Sequence, residues 1–400
     1  MEAAASVSQH APLCRATRAI VDLDAIAANV RVFRALAPAA VLIAAVKGDA
    51  YGHGAVPVAS AALKAGAGYL AVYTLDEAAA LRHAGIRAPI LLLGPLEMWE
   101  ASVVWKLRLA PTISDFSAVR LLESAADGSR LPVHLKVDTG LTRAGASPRD
   151  AIVLARAVWR HPALELASVF THFARADEPH SGSSQAQLRI FAETVHEMEA
   201  QGIRPQFIHA ANTAGTLNVP EARLGAVRVG IGLYGYDPTR PDVPSVPLVP
   251  ALSLVSRLTR VTRVGEGTGV GYGHEFRGST GCTIGLVPIG YGDGLPRSLG
   301  LGRGRVLVRG TPVPVVGRMS MDQITVDLTS VPDARVGDDV VLIGSSGRLM
   351  QSAHDLGDQA GTISYDILTG LLPRVPRIYI EDSKIVSMSR LGGTISVNMP

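Results

Sequence analysis

A lysine stands directly after an apolar run near the start of the sequence. The run from Val41 to Val46 is followed by Lys47, and then by glycines at 48, 52 and 54. Desolvation lowers the pKa of an amine and suits it to form a Schiff base with an aldehyde cofactor. A lone lysine at the end of a strand is more often a solvated cap. Lys47 alone therefore leaves both interpretations open.

Charged residues alternate along a second apolar segment. Because side chains alternate along a strand, His134, Lys136 and Asp138 share one face of the segment 133–138, and Arg143 follows it. Buried charges need partners. From these residues alone, a simple pair of Lys136 with Asp138 is as good an interpretation as a binding role.

Further polar residues lie within or shortly after three more apolar runs. His172 follows one run, Thr213 stands at the start of a short helical stretch, and Arg228 precedes Gly230 and Ile231. A hydroxyl at a helix start and backbone amides flanked by glycines are typical of phosphate sites. Glycine runs mostly serve turns, however, and a lone strand histidine is more often a core residue.

The elements that must position these residues follow a repeating order. Eight short apolar runs alternate with stretches of helical period, one of which is 23–37. The runs are Val41 to Lys47, Tyr69 to Tyr73, Ile90 to Leu93, Ala110 to Ile113, Val133 to Asp138, Leu166 to Thr171, Phe207 to His209 and Ala226 to Val229. Eight β-α units predict an α/β fold, a (β/α)8 barrel of the TIM type. Chemistry in that fold lies where strands end and loops begin.

The sequence changes character after Tyr236. A proline-rich stretch from 238 to 250 reads as a linker, and alternating apolar residues then predict a mostly-β domain. We therefore expect a barrel over residues 18–240, a β domain over 241–390 and a flexible leader over 1–17.

Composition excludes several classes of protein. The 400 residues contain two cysteines, and the net charge of +3 is mixed along the chain without a basic stripe. A disulfide framework, a structural metal site and nucleic-acid binding are therefore not expected. The longest apolar run, 35–46, is too short to span a membrane, and no signal peptide is recognisable. These features predict a cytoplasmic protein that acts on a small molecule.

Several of these segments, in order along the chain, resemble motifs of the alanine racemase family. Members join a barrel that binds pyridoxal 5'-phosphate (PLP) to a β-rich domain, and they act as homodimers. The segment 46–54 resembles the PLP-attachment motif, which implies that Lys47 carries PLP and that Tyr51 binds its phosphate. Gly48 and Asp49 replace the family's more frequent Ala-Asn.

The resemblance assigns roles to the other polar residues of the barrel. It implies that Arg143 contacts the PLP phenolic oxygen and the substrate carboxylate, that Lys136 is carbamylated, and that His172 lies beside the cofactor. It places the phosphate and the pyridine ring at Asn212, Thr213, Arg228, Gly230 and Ile231, with a further phosphate ligand at Tyr365. Thr213 stands where the family more often has serine, and the hydroxyl is retained.

Arg228 is informative about the reaction. Arginine only donates hydrogen bonds, so a pyridine nitrogen that faces it must accept and stay unprotonated. Such a ring is a weaker electron sink than a pyridinium. Arg228 therefore disfavours decarboxylation and transamination and favours quick removal and return of a proton.

Racemisation needs a second base, on the face of the planar carbanion opposite to Lys47. The segment 269–276 resembles the family segment that carries this base, and it implies Tyr272 of the partner chain. A phenol is a poor base at neutral pH, so this role requires nearby cations, for which we expect a contact between His172 and Arg228. The resemblance adds Tyr291, Met321 and Asp322 as substrate contacts.

These residues predict an alanine racemase that uses Lys47 and Tyr272 as its two bases. A racemase of broader specificity, or one for serine or lysine, shares the same motifs and stays open. A barrel decarboxylase for basic amino acids is disfavoured by Arg228. A non-catalytic PLP carrier is disfavoured by the β domain, which such carriers lack.

Overall fold

The computed structural model describes residues 15–240, 246–391 and 393–396. The chain divides into two compact units. The barrel unit contains residues 25–50 and 55–249, and the sheet unit contains the described parts of 1–24, 51–54 and 250–400. Each unit therefore draws on more than one stretch of the chain.

The first strand, β1 (Arg18–Asp22), belongs to the sheet unit, whereas the sequence predicts it as part of a barrel domain over 18–240. It pairs antiparallel with residues 252–255 and parallel with residues 377–380. Ala19, Ile20 and Val21 are buried in this sheet. An apolar strand beside the barrel segments does not reveal that its partners lie after the barrel in the sequence.

Eight parallel strands, counted within the described residues, close the barrel unit. They are β2 (Val41–Ala45), β3 (Tyr69–Val72), β4 (Ile90–Leu92), β5 (Ala110–Ile113), β6 (Leu131–Lys136), β7 (Leu164–Phe170), β8 (Phe207–His209) and β9 (Ala226–Val229). Pairing of β9 with β2 completes the closure. The predicted TIM-type barrel is confirmed, although β2 ends two residues before Lys47 rather than on it.

Helices connect the barrel strands and pack on their outer side. They are α1 (Leu23–Leu36), α2 (Ala55–Lys64), α3 (Leu75–His83), α4 (Ala101–Lys106), α5 (Phe116–Ser124), α6 (Pro148–Arg160), α7 (Ser183–Ala200) and α8 (Thr213–Asn218). In α1 the predicted apolar face is confirmed, because Ile26, Val30 and Phe33 are fully buried. Thr74 and Glu77 form a capping box at the start of α3.

The sheet unit is mostly β, as predicted. After β1 its strands are β10 (Leu252–Arg257), β11 (Arg260–Arg263), β12 (Gly269–Val270), β13 (Phe276–Arg277), β14 (Thr283–Val287), β15 (Arg305–Val308), β16 (Thr311–Val316), β17 (Ile324–Asp327), β18 (Asp339–Ser346), β19 (Leu349–Gln351), β20 (Arg377–Glu381), β21 (Lys384–Arg390) and β22 (Gly393–Ser396). The α-helices among its described residues are α9 (Ala353–Ala360) and α10 (Ser364–Thr369). In the main sheet β1 lies between β10 and β20.

The expected leader and linker are only partly covered by the structure. Residues 1–14 and 241–245 lie outside the described ranges. The last residues of the expected leader are held in place, because Arg15 donates to Asp293 at 2.5 Å and Thr17 shares a hydrogen bond with Ser256 at 2.8 Å. None of the helices described is long and apolar enough to cross a membrane.

Candidate active site

The chain leaves β2 through a left-handed turn that begins after Lys47. Gly48, Asp49 and Ala50 have φ values of 62°, 51° and 53°. The left-handed conformation costs about 1–2 kcal/mol for each residue with a Cβ. The turn therefore needs compensating bonds at Asp49 and Ala50.

Two carboxylates supply bonds to this turn. Oε1 of Glu77 accepts from the Gly48 amide at 2.5 Å, while its Oε2 accepts from the amides of Tyr73 and Thr74 at 2.8 and 3.0 Å. Oδ1 of Asp49 accepts from the amide of Ala55, the first residue of α2, at 2.8 Å. Glu77 is not among the residues predicted from the sequence, although the Thr-x-x-Glu spacing at 74–77 is a recognisable capping box.

Four cations of the barrel unit interact around this turn. Burial, and then the charge of Arg143, lowers the pKa of Lys47, while Glu77 opposes the shift and Arg228 adds to it. Burial also lowers the pKa of Lys136 to about 8, with further lowering by Arg143 and Arg228. An excess of positive charge therefore surrounds both lysine amines.

Lys136 does not pair with the neighbouring carboxylate. Oδ1 of Asp138 accepts from the amides of Gly140 and Thr142 at 2.9 and 3.1 Å. Within the described ranges Lys136 makes no hydrogen bond or ion pair, and its Nζ lies 5.9 Å from the ring centroid of Phe170. The simple pair of Lys136 with Asp138, left open by the sequence, is therefore not formed.

Arg228 is buried and held by neutral acceptors. Nη1 donates to Nδ1 of His209 at 2.6 Å. Nη2 donates to the carbonyls of Thr171 and Ala210 at 2.7 and 3.0 Å and meets Nδ1 of His172 at 3.2 Å. The expected contact between His172 and Arg228 is thus confirmed. Burial lowers the pKa of Arg228 to about 9.

The Nε–H group of Arg228 has no acceptor among the described residues. Within the same residues no carboxylate pairs with Arg228, and its bonds use both terminal nitrogens but not Nε. The Nε–H group is therefore left to donate to a ligand. Burial and the charge of Arg228 lower the pKa of His172, so this histidine is neutral. With Nδ1 accepting, its proton is on Nε2.

The predicted phosphate residues of the barrel come together at the start of α8. Oγ1 of Thr213 accepts from the amides of Gly230 and Gly232 at 3.0 and 3.3 Å. Asn212 caps the helix, because its Oδ1 accepts from the amide of Gly215 at 2.8 Å. A Cβ on Gly232 would lie 2.4 Å from the Phe33 ring, so this close approach requires glycine.

Two predicted phosphate ligands lie together in the sheet unit. The ring centroids of Tyr51 and Tyr365 are 6.0 Å apart. Tyr51 is buried, which raises the pKa of its phenol to about 12 and keeps it protonated. A protonated phenol is a hydrogen-bond donor for an anion.

The predicted second base and substrate contacts are exposed on the sheet unit. Tyr272, Tyr291 and Met321 are 69%, 45% and 52% exposed. The segments that carry Tyr291 and Met321 are hydrogen-bonded, because the amide of Gly292, which follows Tyr291, donates to the carbonyl of Met321 at 2.8 Å. Asp322 accepts from Arg374 at 2.6 Å. Within one chain these side chains are therefore accessible.

Comparisons with known proteins agree with this arrangement. The family model of the N-terminal domain of alanine racemase matches residues 21–238, and that of the C-terminal domain matches residues 251–379. The chain belongs to the alanine racemase family. Its function is that of this family of isomerases. The two domain models also agree with the predicted barrel and the predicted β domain.

The matches to individual relatives cover nearly the full length of this chain and of each relative. The alanine racemase of Nostoc sp. is 39% identical over 364 residues, which are 90% of this chain and 94% of that protein. The alanine racemase of Symbiobacterium thermophilum is 41% identical over 91% of this chain and 97% of its own length. The crystal structure of alanine racemase from Bacillus anthracis with bound L-Ala-P has a TM-score of 0.89 and 39% identity, covering 95% of this chain and 99% of that chain.

Proposed function

We propose that this member of the alanine racemase family interconverts L- and D-alanine with PLP, and that Lys47 and Tyr272 of the partner subunit are its two bases. The observation that carries the proposal is Arg228, a buried cation held by neutral groups, with Nε–H left to donate. A pyridine nitrogen that meets this donor stays unprotonated. This favours proton transfer over decarboxylation or transamination.

The residues fit an anionic aldehyde. Lys47 has a lowered pKa, as an amine that holds an aldehyde needs. The charges of Arg143 and Arg228 favour an anion nearby. We assign the phosphate to the barrel cradle of Asn212, Thr213, Gly230 and Ile231 and to the phenols of Tyr51 and Tyr365. PLP supplies electron withdrawal that acidifies the α-hydrogen of the bound amino acid.

Each base acts on its own face of the α-carbon. The lowered pKa of Lys47 lets its amine take up or return a proton at neutral pH. Tyr272 of the partner subunit serves the other face, where His172 Nε2–H is the donor that stabilises a phenolate. Arg143 binds the substrate carboxylate together with the amide of Met321 of the partner subunit, and Tyr291 and Asp322 line its approach.

We also propose that Lys136 is carbamylated. Its pKa of about 8 leaves part of the amine neutral, which is the form that reacts with carbon dioxide. The product replaces a cation, whose charge lowers the pKa of His172, with an anion. A carbamate would orient the guanidinium of Arg143 through charge-assisted hydrogen bonds.

The assembly and the cellular setting follow from the same proposal. A homodimer is required, because Tyr272 and Met321 act on the neighbouring subunit. We place the enzyme in the cytoplasm and infer that its D-alanine serves as a cell-wall precursor. A racemase of broader specificity, or one for serine or lysine, is the alternative.

A single preparation tests cofactor and substrate together. Borohydride reduction and peptide mapping should place the pyridoxyl mass on Lys47, and chiral chromatography of all common L-amino acids should show racemisation of alanine above the others. A colourless protein that never takes up PLP, or a pyridoxyl mass on another lysine, would overturn the cofactor assignment. Faster turnover of serine or lysine would favour the alternative.

A further inference from the structure

A row of hydrogen bonds crosses four neighbouring barrel strands. Nδ1 of His134 in β6 lies 2.6 Å from Oγ of Ser168 in β7, and this oxygen lies 2.9 Å from Nε2 of His209 in β8. Nδ1 of His209 in turn lies 2.6 Å from Nη1 of Arg228 in β9. The two histidines and the serine are fully buried. The row therefore runs from Arg228 into the closed interior of the barrel.

Arg228 gives this row a single direction. Because a guanidinium only donates, Nδ1 of His209 must accept, and the ring proton is on Nε2. His209 then donates to Ser168, whose hydroxyl is free to donate to Nδ1 of His134. The proton of His134 is on Nε2, which is buried and has no partner among the described residues. The row ends there.

We propose that Ser168 and His134 are positioning residues, which fix the orientation of the His209 ring and thereby hold the Arg228 guanidinium with Nε–H directed at its ligand. That the ligand is the PLP ring rests on the proposed function. The order of the protons in the row does not.

Three observations support this role. A hydrogen bond donated by His209 Nε2 polarises the ring and makes Nδ1 a better acceptor. Burial lowers the pKa of His134 to about 3 and that of His209 well below its usual value, so both rings stay neutral and can accept. Phe170 stacks on His209 with 4.8 Å between ring centroids, which holds the plane of the imidazole.

The protons can be located without cofactor or substrate. Long-range nitrogen–proton NMR of the cofactor-free protein, labelled with ¹⁵N-histidine and assigned with His134→Phe and His209→Phe, should show neutral rings with the proton on Nε2 for both residues. A charged His209, or a proton on its Nδ1, would overturn the proposal. This measurement needs no variant of Ser168 to fold.

A matched pair of variants tests the consequence for the loaded enzyme. Ser168→Ala breaks the row in its middle, whereas Thr112→Val removes another buried barrel hydroxyl that has no hydrogen-bond partner among the described residues. We expect Ser168→Ala to lower kcat for alanine by up to about tenfold, the upper end for loss of one hydrogen bond between neutral groups, with KM unchanged. In its spectrum the His134 proton should be shared between both nitrogens.

The outcomes separate this inference from the proposed function. Thr112→Val should keep wild-type kcat and both tautomers. A Ser168→Ala enzyme with kcat within twofold of wild type, or an equal loss in Thr112→Val, would overturn the positioning role. A wild-type protein with the expected tautomers but no racemase activity would contradict the proposed function and leave the proton order of the row standing.

Discussion

His134 and His209 illustrate what burial does to a single titratable side chain. Both are fully enclosed by the barrel, and burial lowers the pKa of His134 to about 3 and that of His209 well below its usual value. In the unfolded chain both titrate near 6.5. Below that pH the unfolded chain therefore binds protons that the folded protein does not bind.

This difference sets the direction of a pH dependence. Because the unfolded state binds more protons, the free energy of unfolding is fully present above pH 6.5 and falls as the pH drops below it. The two histidines together contribute a slope of up to about 2.7 kcal/mol per pH unit. Urea unfolding of the cofactor-free protein between pH 8 and 5 measures it.

His134→Phe is the control for this prediction. It removes one of the buried histidines with a lowered pKa, of which His172 is a third, and keeps a ring that packs against Tyr69 and Phe207. The slope should therefore fall by up to about 1.4 kcal/mol per pH unit. A slope that does not change in this variant would mean that other groups cause the pH dependence.

The proposed site residues were easier to name from the sequence than their surroundings. Lys47 drew attention because it follows an apolar run, and Arg228 was assigned through the resemblance to the family. The neutral surroundings of Arg228 could not be predicted, because they depend on carbonyls and on His209 from neighbouring strands. Likewise Lys136 and Asp138 share a strand face, yet Asp138 binds the amides of its own turn instead.

Among the elements, the left-handed turn after β2 has the clearest testable consequence. Glu77 joins this turn to the start of α3 through the amides of Gly48, Tyr73 and Thr74. We expect Glu77→Ala to lower stability by about 1 kcal/mol, as loss of a helix cap does. We also expect PLP uptake and borohydride labelling at Lys47 to weaken, because the turn that follows the lysine is released.

Asp115→Ala is the matched control. Asp115 caps α5 by accepting from the amide of Ala118 at 3.0 Å and does not contact the Lys47 turn. It should cost similar stability in urea and leave labelling of Lys47 intact. If both variants lose labelling equally, Glu77 acts through general stability and not through the turn.

Strand positions were predictable because apolar runs separated by helical stretches define the barrel. Ala110–Ile113, Phe207–His209 and Ala226–Val229 agree with the predicted runs residue by residue. The end of β2 does not agree with the predicted run, because the left-handed conformation of Gly48, Asp49 and Ala50 is set by bonds to distant residues. The location of β1 in the sheet unit was not predicted either, because the sequence of a strand does not reveal which strands it pairs with.

At the scale of the whole molecule, the proposal requires two chains for each site. Lys47→Ala and Tyr272→Phe should each inactivate the homodimer. After subunit exchange, a heterodimer holds one site with both bases intact, so a mixture of equal amounts should regain roughly a quarter of wild-type activity. Chiral assays before and after exchange measure the recovery.

Two controls make this result decisive. Each variant taken alone through the same exchange must stay inactive, and native mass spectrometry must show heterodimers. Without recovery in a mixture that contains heterodimers, both bases would have to come from one chain. The 69% exposure of Tyr272 within a single chain is the feature that this experiment explains.

The position of β1 in the sheet has a consequence for synthesis on the ribosome. β1 is made before the barrel, whereas its neighbours β10 and β20 begin at Leu252 and Arg377. At usual elongation rates the first of these neighbours emerges on the order of tens of seconds later. Throughout that interval both edges of an apolar strand lack partners, which exposes the nascent chain to aggregation. The barrel strands are all synthesised before the sheet can close around β1, so its assembly is the step that waits for the end of translation.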